Sequence, residues 1–86
     1  MTIWGTLIKD SKIIKSYTVT VEDTDTRTHR IFRAMDIMCE KLDISHPIWL
    51  ETSISEFKKS SRTRFGADCF IEKCEFDYFS FQILDE

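Results

Sequence analysis

The spacing of apolar residues changes period near residue 23, and that switch limits what this chain can fold into. In "KIIKSYTVTVE", 12–22, the apolar side chains alternate: Ile13, Tyr17, Val19 and Val21 fall on one side of a two-residue repeat, Ser16, Thr18 and Thr20 on the other. That is a strand with one buried face. "TIWGTLIK", 2–9, is also rich in β-branched and aromatic residues, and the turn-type pair Asp10-Ser11 joins the two into an expected hairpin. From 26 to 43 the repeat becomes helical. At about 100° per residue Ile31, Met35, Met38 and Leu42 stack in one stripe, flanked by Phe32, Ala34 and Cys39. His29, Arg33, Asp36, Glu40 and Asp43 gather opposite, and Asp23, Thr24, Asp25 and Thr26 are the cap candidates.

Beyond the helix the signals are shorter. "HPIWLE", 46–51, reads as a brief strand or an extended connector, because the residue before a proline avoids helical backbone. Ser53 and Glu56 match a capping box, so a short helix is expected at about 54–61, with Ile54 and Phe57 inward and Lys58 and Lys59 outward. "SSRTRFGAD" then reads as a loop. The last strand is expected from about Cys74 to Leu84, with Phe79, Phe81 and Ile83 on one face and Phe76, Tyr78 and Leu84 on the other. A strand apolar on both sides is either central or half open to a partner, and a place beside the hairpin is expected. The sum is one α+β domain over 1–86: a two-layer fold with a mostly antiparallel sheet of three or four strands, carrying one long and one short helix on one face.

Composition removes several classes of function. A net charge of −3 disfavours a general duplex-DNA binder, which relies on neutralising phosphates. The opening residues meet a charge at Lys9, so no signal peptide is read there, and no run of 18 apolar residues marks a membrane span. Three cysteines without a secretory signal point to reduced thiols and a cytoplasmic location. Only Gly5 and Gly66 are present, too few for a P-loop or a dinucleotide fingerprint.

Catalytic and metal chemistry find little support. Cys39, Cys69 and Cys74 include no C-x2-C pair for structural zinc, and Cys39 lies on the apolar side of its helix as a small hydrophobe would. No base is placed beside a thiol by sequence. His29, Arg33, Asp36 and Glu40 could be drawn as an acid–base set, but an ion-paired solvated face, with Arg33 reaching Asp36, explains them as well. No cofactor, metal or catalytic residue is expected.

One segment, "FKKSSRTRF", 57–65, carries Lys58, Lys59, Arg62 and Arg64 without an acid. It reads as a solvated helix end first, as a grip for an acidic protein second, and as a nucleic-acid surface third, where it could be joined by Arg27, Arg30 and Arg33. Asp68, Glu72, Glu75 and Asp77 follow it and would repel a nucleic-acid strand crossing the sheet. Trp4, Trp49, Phe65 and Phe70 suit either core or interface.

The stretches "IWLETSISEFKKSSRTRF" and "FIEKCEFDYFSFQIL", with their WL…EF…TRF…F…FDY run, resemble a group of short bacterial proteins of Firmicutes type whose function is unknown. The resemblance spans nearly the whole chain. It implies a bacterial cytosolic origin and brings no activity, ligand or site residue with it. The leading expectation is a non-enzymatic protein-interaction module, self-associating or binding another protein through an apolar sheet face at Phe76 and Tyr78. The alternative is a weak single-stranded nucleic-acid binder using Lys58, Lys59, Arg62 and Arg64.

Overall fold

The computed structural model describes residues 1–22 and 24–86. Strands β1 (Thr2–Lys9) and β2 (Lys12–Thr20) form the hairpin. Asp10 and Ser11 turn it, both with left-handed backbone (φ 52° and 65°), the geometry whose twist matches that of the flanking strands. Helix α1 (Arg27–Leu42) starts where Thr26 caps it, its hydroxyl accepting from the His29 N–H at 3.2 Å. It stops at Asp43 in left-handed conformation, with the Ile44 N–H donating back to the Cys39 carbonyl at 3.0 Å. Asp23, one of the four expected cap candidates, lies outside the described residues.

Residues 46–50 take the second of their two expected forms. They are an extended connector, tied by the Ile48 N–H to the Cys69 carbonyl at 2.7 Å. Helix α2 spans Glu51–Ser60, three residues earlier than the capping box suggested. Leu50 is its N-cap without a side-chain bond, and Ser53 is buried inside it. Ser61, at φ 57°, ends α2 and feeds the chain directly into β3 (Arg62–Gly66), where a loop was expected. The alternation of exposed Arg62 and Arg64 with buried Thr63 and Phe65 is a strand period, with the cations on its open side. After a short 3-10 turn at Ala67–Cys69, β4 runs from Tyr78 to Asp85.

All strands pair antiparallel in the order β2-β1-β4-β3, so β4 is central beside the hairpin and the fold is α+β with a four-stranded sheet. One face of the sheet carries the core: Ile3 and Leu7 from β1, Val19 from β2, Phe79, Phe81 and Ile83 from β4, and Thr63 and Phe65 from β3. Against it lie Ile31, Ala34, Met35, Met38, Cys39 and Leu42 of α1 and Phe57 of α2. Gly5 sits directly beneath Met38; a Cβ there would stand 2.6 Å from its sulfur, so this glycine is what lets the helix approach. Trp49 plugs the gap between helices and sheet, edge-on to Phe65 at 4.9 Å, Phe57 at 5.6 Å and Phe81 at 6.2 Å between ring centroids.

Two expected faces are corrected. A bulge lets Ile8 pair with Ile13 while Leu7 pairs with Lys15, which moves Ile13 off the core face and leaves it 54% exposed. Phe76 precedes β4 and turns inward, packing edge-on to Phe70 at 5.3 Å and remaining only 8% exposed. No helix among the described residues is long and apolar enough to cross a membrane.

Candidate functional site

Where α1 and α2 lie side by side, their shared edge is not closed. It forms a groove of about 240 Å³ lined by Ile31, Phe32, Trp49, Ile54 and Phe57, with Arg27 and Lys58 at its rim. Phe32 flanks the buried stripe of α1 and is half exposed; Ile54, expected inward, is 39% exposed. Phe32 stands edge-on to Trp49 at 6.4 Å, so the floor of the groove is the outer wall of the aromatic core. The Arg27 guanidinium lies 6.0 Å from the centre of the Phe57 ring and holds the Glu86 carboxylate through Nε at 2.7 Å. A carboxylate therefore already occupies part of this rim.

The four expected basic residues separate into two groups. Lys58 follows Ile54 by one turn and shares its side of α2, whereas Lys59, a further 100° round, belongs to the solvent side. Arg62 and Arg64 extend from β3 on the opposite face of the sheet, with the Arg64 guanidinium over the Tyr78 ring at 4.8 Å. Of the other cations considered with them, only Arg27 joins Lys58. Arg33 meets Asp25 at 3.2 Å, and Arg30 is partly enclosed. Phe76 is in the core and Tyr78 is half-buried, so the outer side of β4 presents Tyr78, Ser80 and Gln82.

A second cavity, of about 280 Å³, opens beneath the 67–77 segment and is lined by residues including Leu7, Lys15, Glu72 and Cys74. It lacks an activated nucleophile. Burial and then the Glu72 charge push the Cys74 thiol up, burial and Asp68 do the same to Cys69, and burial with Asp36 pushes Cys39 up to about 11. All three thiols stay protonated at neutral pH, the reverse of what nucleophilic sulfur requires. His29 bonds Asp25 at 3.0 Å and His46 bonds Asp36 at 2.8 Å, all on exposed surface, so the polar side of α1 is an ion-paired solvated face. Its pairs differ from those expected, with Asp25 rather than Asp36 taking Arg33. Asp25 is held below its usual range by the His29 hydrogen bond and the Thr26 N–H. Among the described residues no cluster of three His, Cys, Asp or Glu side chains is arranged to hold a metal ion.

The groove was only half visible in the sequence. Phe32 at the margin of its stripe and Ile54 beside Lys58 were the signals, and they became a site only once the two helices were set next to each other. No family model, curated protein or solved structure matches the chain.

Proposed function

We propose that this protein is a non-enzymatic interaction module that seats an acidic, amphipathic segment of another protein in the α1–α2 groove. The observation that carries this is the pairing of an apolar floor with a cationic rim: Phe32, Trp49, Ile54 and Phe57 below, Arg27 and Lys58 above. At about 240 Å³ the groove falls below the range of roughly 300–1,000 Å³ usual for small-molecule pockets, and suits one or two anchoring side chains of a peptide. The Glu86 carboxylate that Arg27 holds at 2.7 Å supports an acidic group as the rim's partner.

The test is fluorescence anisotropy with labelled 12-residue peptides bearing Leu and Phe four apart, flanked by glutamates in one set and lysines in the other. The glutamate set binds about two- to thirtyfold tighter, because two rim cations at about 0.2–1 kcal/mol each multiply to that range. Ile54→Asp and Lys58→Glu each weaken it, and Glu86→Gln tightens it by freeing Arg27. Equal binding of both sets, or none at millimolar peptide, overturns the proposal. A concentration-dependent dimer that Ile54→Asp dissolves would instead make a second copy the occupant.

A further inference from the structure

Among the described residues no helix covers the sheet's other face, and its residues form an ordered array. Strand pairing sets three rows across it: Thr18, Trp4, Gln82 and Arg62; Ser16, Thr6, Ser80 and Arg64; Ile13, Ile8, Tyr78 and Gly66. These rows hold two aromatic rings, two guanidinium groups, hydroxyls and an amide, and no carboxylate. Asp85, opposite Thr2, stands one row beyond Trp4. Of the acids that follow the basic run in sequence, Asp68 borders the third row, its Oδ1 2.8 Å from where a Cβ on Gly66 would stand, and the others lie away from the rows. Glu72 and Glu75 line the cavity on the helix side, and the Asp77 carboxylate accepts from the Asp10 N–H at the hairpin turn, at 2.9 Å.

We infer that this open face is a binding site for single-stranded nucleic acid, separate from the interhelical groove. Trp4, 36% exposed, is one stacking platform; Tyr78 with the Arg64 guanidinium over its ring is the other. Base stacking tolerates any sequence because each base offers a π face, and a guanidinium plane serves as well as an aromatic ring. Tyr78 lies four residues along β4 from the position opposite Trp4, roughly 14 Å away at 3.4 Å per residue, so the platforms hold different bases of one strand. Arg62 and Arg64 on the edge strand supply the phosphate contacts, and Ser16, Thr18, Ser80 and Gln82 supply hydrogen bonds to base edges and sugar hydroxyls, while Thr6, 3% exposed, lies beneath them. A duplex would need more cations than two.

The experiment is anisotropy of labelled 12-nucleotide oligo-dT and oligo-U at several salt concentrations, with an unlabelled duplex as competitor. Binding is expected at 50 mM salt, with log K falling against log salt at a slope of about −1.4 for two phosphate contacts on a single strand. The dT and U arms report whether the sugar hydroxyl matters. Trp4→Ala weakens binding by roughly five- to 150-fold, the range for loss of one stacked base. The Arg62→Glu/Arg64→Glu pair, both exposed, removes binding while the melting temperature stays near wild type. Ile54→Asp, in the groove, leaves binding unchanged, which separates this site from the proposed protein site. No binding at 0.5 mM protein (a limit of about 4.5 kcal/mol), a flat salt slope, an unaffected Trp4→Ala variant, or equal competition by duplex overturns the inference. So does a dimer by light scattering that Trp4→Ala dissolves, since the face would then be covered by its own copy.

Discussion

Gly5→Ala tests the packing that sets both surfaces. Gly5 has no left-handed backbone to protect, so its role is proximity alone. A Cβ at this position meets the Met38 sulfur at 2.6 Å, its Cγ at 2.9 Å and its Cε at 3.0 Å. Ordinary contact begins at 3.4 Å, so the sulfur must retreat by about 0.8 Å. Met38 is fully buried among core side chains, so any retreat has to displace its neighbours in the core. Overpacking of this kind costs about 1–3 kcal/mol, offset by the roughly 0.4–1 kcal/mol that alanine recovers by restricting the unfolded chain. The net loss is about 1–2 kcal/mol, read as a fall of roughly 4–16 °C in melting temperature for a domain of this size. Urea denaturation followed by circular dichroism measures it. Met38→Ala alone costs about 2–5 kcal/mol through its cavity, but in the double variant each change accommodates the other. The pair should fall short of additivity by at least ~1 kcal/mol. A neutral Gly5→Ala, or additive losses, would refute close packing of α1 on β1.

Two other substitutions follow from the same structure. Ser11 carries a left-handed backbone that costs a side-chain-bearing residue about 1–2 kcal/mol, whereas glycine loses about 0.5–1 kcal/mol in entropy; Ser11→Gly should therefore raise stability by about 0.5–1 kcal/mol in urea, and a loss would contradict the turn geometry. The folded state holds the Cys39 proton more tightly than the unfolded chain, raised from 9.0 to about 11, so that contribution is complete below pH 9 and is lost as pH rises toward 11. Wild type should lose up to ~2 kcal/mol more than Cys39→Ala between pH 8 and 10.5, and equal losses would place the thiol in water.

The hairpin and α1 were legible because each repeats one period long enough to be read, and because Asp10-Ser11 and Thr26 mark their ends. The elements that escaped were short or carried two signals at once. In "RTRF" the charges of Arg62 and Arg64 masked a strand alternation, and they masked with it the division of the basic run between two faces of the molecule. Ser53 and Glu56 resemble a cap but lie inside α2, which begins at Glu51 after Leu50, an N-cap with no side-chain bond. A single bulged residue reversed the side of Ile13, which no local pattern encodes. Phe76 was assigned to the last strand by continuity with Tyr78, although its partner, Phe70, comes from the preceding loop. The groove depends on residues from two helices and a connector, and so needed tertiary structure to be seen.

Amide chemical shifts recorded while the glutamate peptide is titrated into labelled protein test the central claim most directly. Seating in the groove predicts shifts concentrated at Arg27, Phe32, Trp49, Ile54 and Lys58, with Trp4, Ser80 and Arg62 on the far side of the sheet unmoved. Shifts centred on Trp4 and Ser80, or none at saturating peptide, would contradict it.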